Sequence, residues 1–330
     1  MSVFVEQSAK PCAFTSSESW VILSPIEQSI KRKIEAVGTP LKDWNIQINY
    51  GIKTGCNEAF IIDEAKRAEI LENCHDAAER ERTEQIIRPI LRGRDIKRYA
   101  YEWAELYLIA THNGYGKTPR IDINDYPAVR KWLDEGGIAY NGKLYMGYPQ
   151  LVTRADQGDT PYNLRNCAYM DDFGKPKIVW AETMRIHRDN VSNFPRFAMA
   201  TDVIYTDKTC FIGTGKSEKL KVVLGILNSK VGRYQLGSLV SKMDDGGWLM
   251  QKIYIEKVLI PNISKAHQRQ IKSLVDSCLD SQFNHNTEMN IDSCIYEIFG
   301  LDDDEIKHIE ESASASLTRR RYPMLVFFNE

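Results

Sequence analysis

The pattern of apolar residues changes at Pro261 and divides the sequence into two parts. Before Pro261, short apolar stretches bounded by Gly, Pro, Asn and Asp alternate with stretches of helical periodicity, which is typical of a sheet flanked by helices. After Pro261, apolar residues recur at helical spacing only, as in Ile271, Leu274, Val275 and Cys278. We therefore predict an α/β (α+β) fold, in which a mixed, twisted β-sheet body with flanking helices precedes a C-terminal helical segment.

The same change sets the predicted domain boundaries. Residues 1–40 form an N-terminal linker and helix, residues 41–261 an α/β domain, and residues 262–330 the C-terminal helical segment. The helix of the first part is predicted to begin after Ser24, because Ser24 and Glu27 have the spacing of a capping box and a proline follows Ser24.

Turn signals predict the order of elements within the body. Residues 45–50 alternate as a half-buried strand does, residues 51–55 form a glycine-bounded turn, and residues 59–62 form the returning strand. Residues 137–175, which are rich in Gly, Asn, Asp and Tyr, are predicted as long loops. The remaining predicted strands are 103–111, 177–181, 196–200, 203–205, 210–213 and 253–260, and the remaining helices are 63–87 (broken near Cys74), 127–135, 220–227, 231–239 and one capped by Asp302 and Glu305.

The composition excludes several classes of protein. With 43% hydrophobic and 27% charged residues, the chain has the proportions of a globular protein. Its longest apolar run, residues 324–328, is far shorter than the roughly 20 residues that span a bilayer, and its first residues lack the features of a secretory signal. Seven scattered cysteines without a Cys-x-x-Cys pair indicate reduced thiols. We expect a cytoplasmic protein with no membrane partner.

The net charge of −2 hides an uneven distribution. Between Arg82 and Arg98 there are six basic residues and two acidic ones, whereas residues 301–311 contain six acids and one lysine. A nearly neutral chain can therefore carry one basic face, and nucleic acid stays open as a partner.

Familiar catalytic motifs are missing from the sequence. Residues 213–217 (GTGKS) have Cys210 where a phosphate-binding loop has its first glycine, which favours a plain strand-to-helix turn. The Glu-x-Lys triplet of restriction nucleases occurs at residues 64–66 and 305–307, but both lie in helical sequence. We also find neither the Asn-Pro-Pro-Tyr-like loop nor the glycine-rich cofactor turn of an adenine methyltransferase. We predict no catalytic and no metal-binding residues in this chain.

Four segments, in order, resemble one family. The chain is similar to the TaqI-like C-terminal specificity domain, which is the DNA target-recognition part of type II, notably type IIG, restriction–modification enzymes. The similarity runs from about residue 20 to residue 310, whereas the last residues match nothing familiar. The segments that resemble the family signatures are 51–60 (GIKTGCNEAF), 88–96 (RPILRGRDI), 175–180 (KPKIVW) and 224–230 (LGILNSK).

The resemblance implies a function and a partner. It implies that residues 41–261 recognise a double-stranded DNA sequence in a restriction–modification system. Enzymes of this family carry an adenine methyltransferase domain ahead of this region, so the chain resembles an excised or free-standing specificity region, or the remnant of a longer gene. We expect it to act with a methyltransferase/endonuclease domain or subunit. No cofactor is expected in this chain; S-adenosylmethionine, with Mg²⁺ as a further candidate, would belong to the catalytic part.

Candidate DNA contacts follow from what a recognition module must do, which is to neutralise phosphates and to present side chains to base edges. The basic stretch and the glycine turn supply phosphate contacts. The loop after the predicted strand 177–181 supplies base readers, because Arg suits guanine and Glu suits the amino group of cytosine. The phosphate candidates are Lys53, Thr54, Arg92, Arg94, Lys97 and Arg98; the base readers are Glu182, Arg185, His187 and Arg188; and the loop candidates are Arg154, Asn163 and Arg165.

Each site has a structural alternative. The basic stretch 82–98 is also typical of a helix end exposed to solvent. The glycine turn 51–55 is also typical of a plain hairpin, and the charged residues of the loop after strand 177–181 could form salt bridges at a sheet edge. For the whole chain, one alternative is a nuclease with an unrecognised active site that uses Glu64 and Lys66. The other is a protein-interaction module that binds through its helical tail and has lost DNA binding.

Overall fold

Five small β-sheets and the helices that cover them make up the part of the chain that the computed structural model describes, residues 23–185, 193–244, 246–280 and 285–315. The strands in this part are β1 (Gly38–Pro40), β2 (Gln47–Tyr50), β3 (Ile61–Asp63), β4 (Ile87–Leu91), β5 (Leu106–Ile109), β6 (Gly137–Ile138), β7 (Leu144–Tyr145), β8 (Lys177–Ala181), β9 (Thr183–Arg185), β10 (Phe197–Ala200), β11 (Tyr205–Thr206), β12 (Cys210–Thr214), β13 (Ser241–Lys242), β14 (Gly247–Leu249) and β15 (Leu259–Pro261).

The helices precede, separate and follow these strands. The α-helices are α1 (Pro25–Val37), α2 (Asn57–Phe60), α3 (Glu64–Glu72), α4 (Ala77–Ile86), α5 (Pro127–Glu135), α6 (Tyr148–Val152), α7 (Ser217–Asn228), α8 (Lys230–Leu239), α9 (Lys252–Ile255), α10 (Lys265–Leu279), α11 (His285–Phe299) and α12 (Asp303–Ala315). The 3₁₀ helices are η1 (Leu41–Asp43), η2 (Gly93–Asp95), η3 (Ile123–Asp125) and η4 (Met170–Gly174). The predicted α/β class with a helical C-terminal segment is confirmed.

The central sheet is antiparallel, has the strand order β10-β8-β12-β2, and separates two apolar cores. Because side chains alternate across a strand, neighbouring residues of β8 enter different cores. Ile178 and Trp180 pack in the core on one face, and Val179 packs in the core on the other. In β10, Phe197 likewise packs in the first core and Ala198 in the second.

The helical core lies on the first face of the central sheet and contains residues of α1, α7, α8, α10, α11 and α12. Ile30 of α1, Leu224 of α7 and Ile271 of α10 are fully buried in it. In addition, Gly38 of β1 pairs with Pro261 of β15. The predicted boundary at residue 262 stays a prediction, and the helices after it share one core with the helix that precedes the sheet.

The second core lies on the other face, around a sheet of order β11-β4-β5-β3 and helices α3 to α6. Phe60, Ile90 and Leu108 are fully buried in it. Trp132 of α5 donates its indole N–H to the Ala59 carbonyl at 2.9 Å, which ties α5 to helix α2 before β3. The break predicted near Cys74 separates α3 from α4.

Both predicted capping boxes form. Glu27 N donates to Ser24 Oγ, and Ser24 N donates to Glu27 Oε2 at 2.6 Å. Glu305 N donates to Asp302 Oδ1 at 3.1 Å, and Asp302 N donates to Glu305 Oε2 at 3.0 Å. These four bonds satisfy N–H groups that the start of a helix otherwise leaves without a partner.

Two predicted strands are wrong. Residues 59–62 do not return alongside β2, because residues 57–60 form α2 and β3 pairs with β5 in the other sheet. Residues 253–260 are not one strand, because α9 precedes β15. Ile253 is 53% exposed while Ile255 and Val258 are fully buried, so the burial repeats every three residues as in a helical turn.

The described cysteines are all free thiols, and Cys74 is the only one of them that is not buried. Cys12 lies outside the described residues. This agrees with the reduced thiols that the sequence indicates. None of the described helices combines the length and the apolar character that crossing a bilayer requires.

Candidate nucleic-acid interface

A cleft of about 780 Å³ lies at the end of the central sheet where Ala181 of β8 pairs with Cys210 of β12. We call it the cleft. One wall comes from η2 and the residues after it, and the other from the turn between β8 and β9, strand β9 and the residues just before β10. Its polar lining residues are Asn57, Arg92, Arg94, Lys97, Tyr140, Glu182, Thr183, Arg185, Asn193, Arg196, Asp207 and Thr209.

Positive charge dominates the cleft. Among the described residues that line it, five are cations and two are acids, Glu182 and Asp207. Asp207 is buried and accepts hydrogen bonds from the backbone N–H (3.0 Å) and the hydroxyl (2.5 Å) of Thr209. Burial raises the pKa of Asp207. The cleft therefore presents a positive surface that attracts a polyanion.

The 3₁₀ helix η2 holds the basic wall in place. Arg92 is fixed by Asp95, which accepts from the Arg92 backbone N–H and from its Nη2, both at 2.8 Å. This hydrogen bonding raises the pKa of Arg92. Gly93 N donates to Thr209 Oγ1 at 2.9 Å, and a Cβ on Gly93 would lie 3.2 Å from the Cβ of Ala181. Glycine therefore allows the wall to approach β8 closely.

Arg94 and Lys97 supply the accessible charge of this wall. The Arg94 side chain is exposed, in contrast to the neighbouring Asp95. Lys97 Nζ lies 3.1 Å from Glu102, but the two side chains are 38% and 77% exposed. An ion pair this open contributes little free energy, so a phosphate can replace Glu102 at small cost.

The opposite wall has a rigid backbone at Glu182. Glu182 N donates to the Thr209 carbonyl at 2.8 Å, and the Glu182 carbonyl accepts from Met250 N at 2.7 Å. The Glu182 carboxylate accepts from Gln251 Nε2 at 3.3 Å. A backbone that is hydrogen-bonded on both sides restricts the positions that its side chain can take.

Strand β9 continues this wall. Met184 is fully buried, whereas Arg185 is exposed on the other face of the strand and lines the cleft. Arg196 Nη1 donates to the Arg185 carbonyl at 3.2 Å, and burial lowers the pKa of Arg196. His187 and Arg188, the other two predicted base readers, lie outside the described residues.

Several lining residues are absent from the sequence predictions. Arg196, Asn57 and Tyr140 come from three distant segments, and no local pattern connects them. Asp207 and Thr209 had a usable signal, since an Asp two residues before a Thr and next to a strand is typical of a side-chain-capped turn.

Arg154 does not enter the cleft. It is 6% exposed and donates to backbone carbonyls only, including those of Thr54 (2.6 Å) and Pro161 (3.0 Å), and also those of Asp156 and Asn163. We call this arrangement the Arg154 cage. Burial lowers the pKa of Arg154 to about 10, so the group stays a cation at neutral pH.

Other loop candidates surround the cage. Thr54 is buried, and its hydroxyl donates to Asn57 Oδ1 at 2.5 Å. Asn163 is buried and donates to the Ile121 carbonyl at 2.9 Å. None of these side chains is among the described lining residues of the cleft, apart from Asn57.

Two further candidates, Lys53 and Arg165, also lie outside the lining of the cleft. Lys53 Nζ lies 4.9 Å from the centre of the Tyr50 ring. Arg165 Nη1 lies 3.0 Å from Asp156, in a pair whose arginine side chain is 52% exposed. Neither side chain is therefore among the described residues that line the cleft.

Arg98 points into the protein. Its side chain is 9% exposed, pairs with Glu288 of α11 and donates to the Pro195 carbonyl at 3.1 Å. Arg98 thus anchors the segment that follows the basic wall to the helical core. Arg94 belongs to the same basic stretch, but its side chain is exposed.

The residues of the nuclease alternative form ordinary helix pairs. Glu64 pairs with Arg67 at 3.0 Å and Lys66 with Glu69 at 2.5 Å, all on α3. In the described part of the chain there is no group of three or more His, Cys, Asp or Glu side chains that could hold a metal ion.

Comparison with known proteins shows the family of the chain and solved structures of similar fold. Residues 88–261 match the TaqI-like C-terminal specificity domain. The fold resembles the type IIG restriction endonuclease BpuSI, with 13% sequence identity, a TM-score of 0.50 and coverage of 88% of this chain and 32% of that one. It also resembles the type IIL restriction–modification enzyme MmeI, solved in complex with DNA, with 9% identity, a TM-score of 0.52 and coverage of 82% and 35%. The chain spans about a third of each. No curated protein matches it.

Proposed function

Since the chain belongs to the family of TaqI-like C-terminal specificity domains, we propose that it is the DNA target-recognition domain of a restriction–modification enzyme and that it reads double-stranded DNA at the cleft. The observation that carries this proposal is the composition of the cleft. Five cations and a carboxylate on a rigid backbone line a concave surface at one end of the central sheet.

The two walls have different roles in this proposal. Arg94 and Lys97 contact phosphates, because they are accessible and weakly paired. Glu182 and Arg185 contact base edges, because a Glu accepts from the cytosine amino group and an Arg donates to two acceptors of guanine. Arg196 holds the backbone of Arg185 through its carbonyl. Arg92 stays with Asp95 and shapes the wall.

A catalytic domain or subunit completes the proposed enzyme. We assign methyl transfer from S-adenosylmethionine, and DNA cleavage with Mg²⁺, to that part. The specificity domain selects the site at which those reactions occur.

The test is a selection from duplexes with a randomised central segment, using the full chain. We expect the wild-type protein to enrich a defined motif and the double variant Glu182→Ala/Arg185→Ala to lose it. Arg165→Ala, which removes an exposed arginine outside the cleft, serves as the control and should enrich the wild-type motif. The proposal is wrong if the wild-type protein enriches no motif, or if the double variant enriches the same one.

A further inference from the structure

A second basic groove, of about 460 Å³, lies at the end of the central sheet opposite to the cleft. Trp44 lines it, and three residues further on Gln47 pairs with Thr214, the last residue of β12. The cleft lies at the other end of the same strand, where Cys210 pairs with Ala181. At about 3.3 Å per residue, the strand separates the two surfaces by roughly 15 Å.

The described residues that line the groove include five cations and one acid. Its one acid among the described lining residues, Glu218, is 83% exposed and pairs with Lys272 at 3.2 Å. In the described part of the chain, the other four cations form no ion pair, and all four are exposed. These four cations are Lys216, Lys219, Lys265 and Arg269.

The two helices that form the groove run in the same direction. Glu218 of α7 pairs with Lys272 of α10, and one turn further along α7 Lys221 pairs with Asp276. The first two turns of both helices supply residues to the groove, among them Lys219 of α7 and Lys265 of α10. Because a helix carries a partial positive charge at its N-terminus, the two helix starts add to the field of the lysines.

We propose that this groove binds the phosphate backbone of duplex DNA outside the segment held at the cleft. Charge complementarity selects a polyanion, and lysine ammonium groups are compact point charges that suit phosphate oxygens. Such contacts add affinity without sequence information, so the inference goes beyond target recognition.

The experiment compares two variants that lose the same charge. The groove variant is Lys216→Gln/Lys219→Gln/Lys265→Gln/Arg269→Gln, and the control is Lys31→Gln/Arg32→Gln/Lys117→Gln/Lys131→Gln, four exposed cations elsewhere. The full chain is titrated with a randomised 30-base-pair duplex between about 50 and 200 mM salt. The groove variant should bind at least tenfold more weakly than the control at the lowest salt, and its salt slope should be lower by about 3.6, since four phosphate contacts are lost and each contributes about 0.9.

The outcomes separate this inference from the proposed function. The motif enriched from randomised duplexes should be the same for wild type and groove variant, because the groove reads no bases. Equal affinities and slopes for the groove and control variants would overturn the inference and leave the proposed function standing. The inference would also be wrong if the groove variant kept full DNA affinity but lost binding to a polyglutamate peptide. That result would identify an acidic protein as the partner of the groove.

A second pair of variants covers a failure of the quadruple variant to fold. Lys216→Gln/Lys219→Gln changes α7 alone, and Lys265→Gln/Arg269→Gln changes α10 alone. Each double variant should lower the salt slope by about half as much as the quadruple variant. An unchanged slope in both folded double variants would equally overturn the inference.

Discussion

The cleft and the Arg154 cage use the same residue type for opposite purposes. In the cleft, Arg94 is exposed on a 3₁₀ helix whose backbone is held by Asp95 and Thr209. In the cage, Arg154 is buried, and its guanidinium donates to four loop carbonyls. One arginine exposes its donors to solvent, and the other uses them to satisfy the protein's own backbone.

The difference shows what long loops inside a protein require. A buried carbonyl without a donor costs free energy, so a loop that enters the interior needs donors from elsewhere. A guanidinium offers five N–H groups in one plane and can satisfy several carbonyls at once. Lys177 has a similar role, since its ammonium is buried and donates to the carbonyls of Phe173 (2.8 Å), Lys175 (3.0 Å) and Asp202 (3.0 Å). A buried cation can therefore belong to the fold and not to a binding surface.

Removing the cage cation should have the largest effect. Arg154→Ala leaves buried carbonyls without donors, so we expect the free energy of unfolding to fall by about 3–5 kcal/mol. Urea denaturation measures this. Arg165→Ala, the matched control in the same segment, should change it by less than about 0.5 kcal/mol because its pair with Asp156 is half exposed. Equal stability of the two variants would contradict the comparison.

The pH dependence of the free energy of unfolding tests a second buried charge, Asp292. Asp292 accepts from Lys230 N at 2.8 Å, and burial raises its pKa to about 6. A carboxyl whose pKa is raised on folding stabilises the folded state when protonated, so its contribution is complete below about pH 4 and is lost as the pH rises through 6. Between pH 4 and 7, wild type should lose roughly 2–3 kcal/mol relative to Asp292→Asn. A pH-independent difference in unfolding free energy would show that Asp292 titrates normally.

A single substitution on the rigid wall of the cleft should alter specificity without altering the fold. Arg185→Ala removes an exposed side chain, and a lost Arg–guanine contact relaxes discrimination by about 1–3 kcal/mol at one base pair. Selection from randomised duplexes, with Arg165→Ala as the control, measures the change. Relaxation spread over every position, or an unaltered profile, would remove Arg185 from the set of base readers.

The smallest expected effect is that of Arg94→Gln, and Arg98→Gln in the same basic stretch serves as the contrast. Arg94→Gln should lower the affinity equally for all duplexes, reduce the salt slope by about 0.9 and leave stability unchanged. Arg98→Gln should instead lower stability, because Glu288 would keep its charge in the interior without its partner. Fluorescence anisotropy at several salt concentrations and urea denaturation separate the two. The comparison fails if Arg98→Gln changes the salt slope and not the stability.

The elements were largely predictable from sequence because their signals are local. The capping box at Ser24 and Glu27, the helix 127–135 and the strand 177–181 all depend on residues within a few positions of one another. The failures at residues 59–62 and 253–260 are short apolar runs, in which periodicity cannot distinguish a turn of helix from a strand. The partner of each strand also lies beyond local reach, since β2 pairs with β12 rather than with the next strand along the chain.

The sequence by itself determined the α/β class, the helical C-terminal segment and the family, because periodicity, caps and ordered motifs are properties of neighbouring residues. Only the tertiary structure decided which cations are exposed and which are enclosed. Arg154 contacts the Thr54 carbonyl, 100 positions away in the sequence, and Arg98 contacts Glu288, 190 positions away. Arg94, by contrast, is exposed. The physical reason is that the free energy of a charge depends on the solvent and dipoles around it, and those are supplied by distant parts of the chain.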